Sequence, residues 1–210
     1  MTLTLTKADA LIVVDLQIDF LPGGSLAVAG GNDIIARIEA LAARFDNVIL
    51  TQDWHTPGHI SFASSHQGKA PFETIELDYG TQVLWPDHCV MGTFGAAIVS
   101  EPLLSKAQMI IRKGYNHQID SYSGFQEADR RTRTGLAGYL VERGFERLFV
   151  VGLATDFCVS WTALDARAAG FETYVIEALT RPIDNAGSLE NAHKSWDVTG
   201  VKILGLNDLQ

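Results

Sequence analysis

Six short runs rich in apolar residues divide the chain, and most are closed by a polar residue or a glycine. Residues 10–14, Ala-Leu-Ile-Val-Val, run unbroken into Asp15 and predict a central strand with a carboxylate at its C-terminal end. Residues 47–51 predict a second strand that leads into Gln52-Asp53-Trp54-His55, and residues 108–112 a third that ends at Lys113-Gly114. Residues 148–151, Leu-Phe-Val-Val, read as a strand buried on both faces and stopped by Gly152. Residues 172–177 and 201–204 complete the set. Between these runs the apolar positions change to helical spacing. Ile34, Ile35, Ile38, Leu41 and Ala42 follow a cap at Asn32 or Asp33, and Leu136, Tyr139 and Leu140 follow Thr134 and close at Gly144. Phe157, Trp161, Leu164 and Ala168 follow Thr155 or Asp156, and a last helix runs from Ser188 to Trp196. The stretch of about 52–105 has no long periodic segment and is rich in Gly, Pro, His and Trp. Such a loop region inside a compact domain is usually functional.

Strands alternating with helices predict one α/β domain over 1–210: a three-layer α/β/α, Rossmann-like arrangement around a mostly parallel six-stranded sheet. Sites in such sheets lie beyond the C-terminal strand ends. Asp15, Asp53, His55, Lys113 and Cys158 all fall at or just past the ends of four different strands.

A chain of 210 residues with 47% hydrophobic content can bury a real core. Its net charge of −9 offers no footing for nucleic acid or an anionic membrane. Two cysteines make no disulfide framework and suit a reducing, cytoplasmic setting. No basic start precedes an apolar stretch and no run reaches membrane-spanning length, so neither a leader nor a membrane span is expected. A monomer and a homo-oligomer fit the pattern equally.

Two groups of residues carry candidate chemistry. Cys158 falls in the first turn of a helix after a buried strand, where backbone N–H groups and the helix dipole favour a thiolate and could hold a developing oxyanion. The alternative is a small buried hydrophobe. Asp15 is the candidate base, with Lys113 holding both groups in their charged forms. The second group is Asp53, His55 and His88, with His59 nearby. Asp53 and His55 are two apart, so an extended segment sends both side chains to one side. Carboxylate and imidazole ligands suit zinc, iron or manganese. Pro57 and Gly58 separate His55 from His59 and no glutamate accompanies them, so this is not a zinc-protease helix. Cys89 ranks lower as a ligand, because neighbouring side chains rarely aim at one ion. His66, His117 and His193 read as surface or structural. No G-x-G-x-x-G follows a strand and no phosphate-binding G-x-x-x-x-G-K-[ST] occurs.

Five blocks then carry a resemblance over nearly the whole chain. They are Val13-Val14-Asp15-Leu16-Gln17-Ile18-Asp19-Phe20, Thr51-Gln52-Asp53-Trp54-His55, Leu84-Trp85-Pro86-Asp87-His88-Cys89-Val90, Lys113-Gly114 with Asp120-Ser121-Tyr122-Ser123-Gly124-Phe125, and Gly152-Leu153-Ala154-Thr155-Asp156-Phe157-Cys158-Val159. In this order they resemble the isochorismatase-like cysteine hydrolases and, among them, the nicotinamidases. The resemblance implies a catalytic triad of Asp15, Lys113 and Cys158. It also implies one divalent metal per chain on Asp53, His55 and His88, zinc ahead of iron or manganese. His59 enters as a candidate fourth ligand or water contact. A cis peptide between Leu153 and Ala154 is implied, with the N–H groups of Ala154 and Cys158 as oxyanion hole. Phe20 and Trp85 are implied as aromatic walls around a small-molecule ring. The implied reaction is hydrolysis of nicotinamide to nicotinate and ammonia, and of pyrazinamide to pyrazinoate, through a cysteine thioester in NAD salvage. A relative acting on another small amide or ureido substrate is the alternative. One departure is Ile18, where the first block usually has asparagine.

Overall fold

The computed structural model describes residues 2–210. Its elements run β1 (Asp9–Val14), α1 (Asn32–Ala42), β2 (Asn47–Asp53), β3 (Thr74–Leu77), β4 (Gly80–Val83), α2 (Glu101–Lys106), β5 (Met109–Lys113) and α3 (Leu136–Glu142). After these come β6 (Arg147–Leu153), a π-helical turn (Thr155–Val159) that continues as α4 (Ser160–Ala168), β7 (Glu172–Arg181), α5 (Ser188–Thr199) and β8 (Lys202–Ile203).

All six predicted strands join one sheet in the order β5-β2-β1-β6-β7-β8, and each pairing is parallel. Ile12 of β1 pairs with Ile49 on one side and Val150 on the other. Successive residues of a strand point to opposite faces, so a strand apolar throughout can feed two cores. β1 does this. Leu11 and Val13 pack with Ile34, Ile38 and Leu41 of α1. Ala10, Ile12 and Val14 pack on the other face with Leu136 and Leu140 of α3, Ala163 of α4 and Trp196 of α5. The chain winds outward from β1 through β2 to β5, then returns to the far side of β1 to start β6. The crevice between β1 and β6 is therefore the switch point where parallel sheets bind ligands.

Several local expectations are corrected. The long irregular region contains the antiparallel hairpin β3–β4 and the short helix α2, capped by Ser100, whose side chain accepts from the Leu103 N–H. Neither Asn32 nor Asp33 caps α1. Asn32 is its first residue and Gly31 precedes it without a side-chain cap. Thr155 and Asp156 lie inside the π turn and cap nothing, their side chains being drawn to β7 and the segment after it. Thr134 does serve the start of α3, its hydroxyl accepting from the Leu136 N–H at 3.2 Å. Gly152 does not stop β6, which runs on to Leu153. It has φ +113° and lies against β1, where a Cβ would stand 2.1 Å from the Val14 carbonyl oxygen. No helix among the described residues is long and apolar enough to cross a membrane.

Candidate active site

The ends of β1, β2, β5 and β6 deliver four chemically active side chains to one buried point. Asp15 follows β1 with φ +45° and is held on both sides by Thr51 of β2. The Thr51 hydroxyl accepts from the Asp15 N–H at 3.1 Å and donates to Asp15 Oδ1 at 2.6 Å. Asp15 Oδ2 lies 2.8 Å from the Lys113 ammonium, and no hydroxyl or amide among the described residues donates to it. Lys113 is fully buried. Its Nζ also reaches Asp53 Oδ1 at 3.0 Å, the Ser121 carbonyl at 2.9 Å and Cys158 Sγ at 3.5 Å. One cation thus touches the expected base, the expected nucleophile and an expected metal ligand.

Burial without solvation drives the electrostatics here. It pushes the Cys158 thiol well above its usual range, the carboxylates of Asp15 and Asp53 push the same way, and Lys113 opposes them. This overturns the expectation of a lowered thiol pKa. Cys158 stands in the π turn that opens α4, and burial there, with two nearby carboxylates, sets the direction of the shift. Burial also raises Asp15, against the pull of Lys113. Burial works against the charge on Lys113, yet Asp15 and Asp53 hold it protonated with a pKa well above normal. Burial would raise Asp53 too, but His55, Lys113 and His88 outweigh it and hold its carboxyl far below the usual range.

The Leu153–Ala154 peptide is cis. Asp156, next to it in the π turn, accepts from the N–H groups of Ile183 and Asp184 and from the Ser188 hydroxyl. A narrow pocket of about 20 Å³ opens beside Cys158, walled by Phe20, Trp85, His88, Tyr122 and Phe157. Trp85 and Phe157 meet edge to face at 4.8 Å. Phe20 and Trp85 were expected walls. Tyr122 lies within a motif block and Phe157 reads in sequence as a helix-face residue, neither marked as a wall, and Leu26 and Ile183, also lining the pocket, have no sequence signal.

On the same edge, ligand atoms of Asp53, His55 and His88 lie within 4.8 Å of one another, and all three residues are buried. Their hydrogen bonds orient them for a cation. His88 Nδ1 donates to the Pro86 carbonyl at 2.8 Å, and a carbonyl can only accept, so Nε2 is left as a lone pair 3.3 Å from Asp53 Oδ2. His55 Nε2 donates to Asp120 Oδ1 at 3.1 Å, which leaves Nδ1 3.5 Å from the same Asp53 oxygen. That Nδ1 is buried with no hydrogen-bond partner among the described residues. Without a cation, Asp53 favours a proton on His55; in their neutral forms the two imidazoles would turn lone pairs toward one carboxylate oxygen, a donor set that fits zinc, iron or manganese.

His59 is not so disposed. Its Nε2 donates to the Asn116 carbonyl at 2.8 Å and its Nδ1 is engaged by Ser61 at 2.8 Å. Burial and the neighbouring His55 push its pKa down to about 4, so it is a neutral ring packed edge-on to His55 at 4.4 Å. Cys89 is fully buried, and burial raises its pKa well above normal. Its backbone, rather than its sulfur, meets the site: its carbonyl accepts from the His55 N–H, and its own N–H donates to Asp19. His66, His117 and His193 bond to Ile60, Thr56 and Glu177, and the His117 ring meets His59 edge-on at 6.2 Å.

Known proteins resemble this chain along nearly its whole length. The isochorismatase domain family matches residues 9–196. A nicotinamidase of Acinetobacter baylyi is 56% identical over 200 residues, spanning 95% of this chain and 94% of its own. The solved structure of an Acinetobacter baumanii nicotinamidase/pyrazinamidase superposes with a TM-score of 0.94 at 56% identity, covering 97% of this chain and 98% of that one. The pyrazinamidase of Pyrococcus horikoshii, solved in complex with zinc, superposes with a TM-score of 0.78 at 35% identity, covering 95% and 99%.

Proposed function

The chain belongs to the isochorismatase family, and from that premise we propose that it hydrolyses nicotinamide to nicotinate and ammonia, and pyrazinamide to pyrazinoate in the same seat. The observation that carries this reading is the buried Lys113 ammonium, in contact with Asp15, Asp53 and Cys158, the last two of which line an aromatic pocket. The 56% identity to a nicotinamidase supplies the substrate.

Phe20 and Trp85 flank the substrate ring. Asp53, His55 and His88 would hold one divalent ion per chain, zinc ahead of iron or manganese, and that ion supplies a Lewis-acid contact that orients the ring. Cys158 rests as a thiol. Asp15 takes its proton, and Lys113 balances the negative charge that then sits on sulfur. The thiolate attacks the carboxamide carbon. The N–H groups of Ala154 and Cys158 donate to the oxyanion, each worth about 3 kcal/mol by the measure of other oxyanion holes. Asp15 returns the proton to departing ammonia, leaving a thioester on Cys158. Water that gives its proton to Asp15 then releases nicotinate. The acidic composition and two free thiols suit work on a small molecule in the cytoplasm, within NAD salvage.

The test is ammonia release from nicotinamide by the protein as purified, after chelation and after iodoacetamide. Both treatments are expected to abolish it, and Cys158→Ala to abolish it while leaving the metal bound. Turnover above trace level in that variant rules out the thioester route. No release from metal-replete wild-type protein would redirect the search to another small amide.

A further inference from the structure

We infer that Asp120 is a positioning residue for the metal centre, and that Gln82 of the hairpin locks it in place and joins it to the wall of the ring pocket. The inference rests on the proposed function for its metal but not for its substrate. Asp120 is buried at the edge of the pocket, outside the Asp53–His55–His88 group.

The argument begins with the two nitrogens of His55. An imidazole can present either one to an ion, and the choice is made by whatever engages the other. Here Asp120 Oδ1 lies 3.1 Å from Nε2 and a carboxylate can only accept, so the proton stays on Nε2 and Nδ1 faces Asp53. Asp120 is itself held at three points. Its Oδ1 accepts from the Ser121 N–H at 2.8 Å, its Oδ2 from Gln82 Nε2 at 2.7 Å, and its N–H donates to the Tyr79 hydroxyl at 3.3 Å.

Gln82 explains why an exposed hairpin belongs to this site. Its neighbours Gly80 and Thr81 are exposed, yet Gln82 is 1% exposed and turns inward. Its amide cannot flip. Oε1 accepts from the Tyr79 hydroxyl at 3.0 Å, while Nε2 donates to the Val83 carbonyl at 2.7 Å as well as to Asp120. The same Nε2 lies 3.1 Å from the Tyr122 hydroxyl, which accepts from Trp85 Nε1 at 3.0 Å. A run of close polar contacts thus leads from His55 through Asp120, Gln82 and Tyr122 to Trp85. Asp120 could instead be a ligand in a second cluster with His55 and His59. Both nitrogens of His59 are already engaged, so that cluster lacks its third donor.

The experiment measures zinc affinity of the purified full-length protein by competition with a chromogenic chelator, with no substrate present. Asp120→Asn keeps one acceptor for His55 but sets an amide against the Gln82 amide. It is expected to weaken zinc binding about 10- to 100-fold, the usual cost of losing such a partner. Gln82→Leu is expected to weaken it less and to raise KM for nicotinamide more than it lowers kcat. Unchanged zinc affinity in folded Asp120→Asn overturns the inference. Should that variant fail to fold, unchanged affinity and unchanged KM in Gln82→Leu overturn it. A wild-type protein that binds zinc but releases no ammonia from nicotinamide would refute the proposed substrate and leave this result standing.

Discussion

Lys113 shows what a fully buried cation does when it is set between two buried carboxylates. Removing it leaves Asp15 and Asp53 facing each other uncompensated in the interior, and breaking a buried pair this way costs about 3–5 kcal/mol. Lys113→Met is therefore expected to lower the urea midpoint sharply and to abolish ammonia release. A variant that keeps wild-type stability would show that the carboxylates find another counter-charge. Glu127 gives a second prediction at this scale. Its Oε2 is buried with no hydrogen-bond partner among the described residues. Burial, with Asp120 and Asp53 nearby, pushes its pKa up to about 7 against the pull of Lys113. A carboxyl raised on folding adds stability that is complete below its unfolded pKa of 4.5 and is lost as pH rises through about 7. Glu127→Gln should therefore lose less stability than wild type between pH 5 and pH 8, measured by urea unfolding at each pH. Parallel losses in the two proteins would refute the buried, ionising role. In sequence, Lys113, Asp15 and Cys158 were legible as polar groups ending apolar strands. Glu127 was not, because nothing local marks a carboxylate that only tertiary packing buries.

Among the elements, those buried on both faces were the readable ones. β1 and β6 are nearly all apolar, and every residue of β1 is buried, so their patterns report their place directly. The hairpin β3–β4 offers two four-residue strands, mostly exposed or half-exposed, and its one inward side chain is a glutamine. Ile75 and Leu77 alternate with Thr74 and Glu76, but four residues are too short a run to stand out, and the hairpin's place is set by polar contacts to a loop about forty residues away. The π turn was misread for a related reason. Thr155 and Asp156 have the composition of helix caps, but Thr155 bonds to Thr180, and Asp156 reaches the segment between β7 and α5. Asp156→Ala withdraws the acceptor from two backbone N–H groups and the Ser188 hydroxyl. Hydrogen bonds to a charged group are worth about 1.5–3 kcal/mol each, so a loss of at least about 2 kcal/mol is expected. Ile183, carried by that segment, lines the pocket, so KM for nicotinamide should rise as well. Unfolding curves and steady-state kinetics on the one variant test both, and an unchanged KM would detach the segment from the substrate seat.

For the whole molecule, alternation of strand and helix sufficed to place the site at the C-terminal edge of a parallel sheet, and the switch point between β1 and β6 is where it lies. The sequence could not show how close those two strands come. Gly152 and Val14 are register partners, and at that point there is no room for even one carbon atom between the strands. Gly152→Ala would force a Cβ to 2.1 Å from the Val14 oxygen in a backbone conformation that disfavours any side chain. The missing methyl group acts as a gauge block. It sets the gap between the strand that carries Asp15 and the strand that leads to Cys158, so the span between those two side chains is machined by an absence. With alanine here the two central strands must part, so the added methyl strains the join between both cores as well as the span from Asp15 to Cys158. The expected signature is a lowered urea midpoint together with lost ammonia release, and wild-type stability in that variant would refute the tight fit.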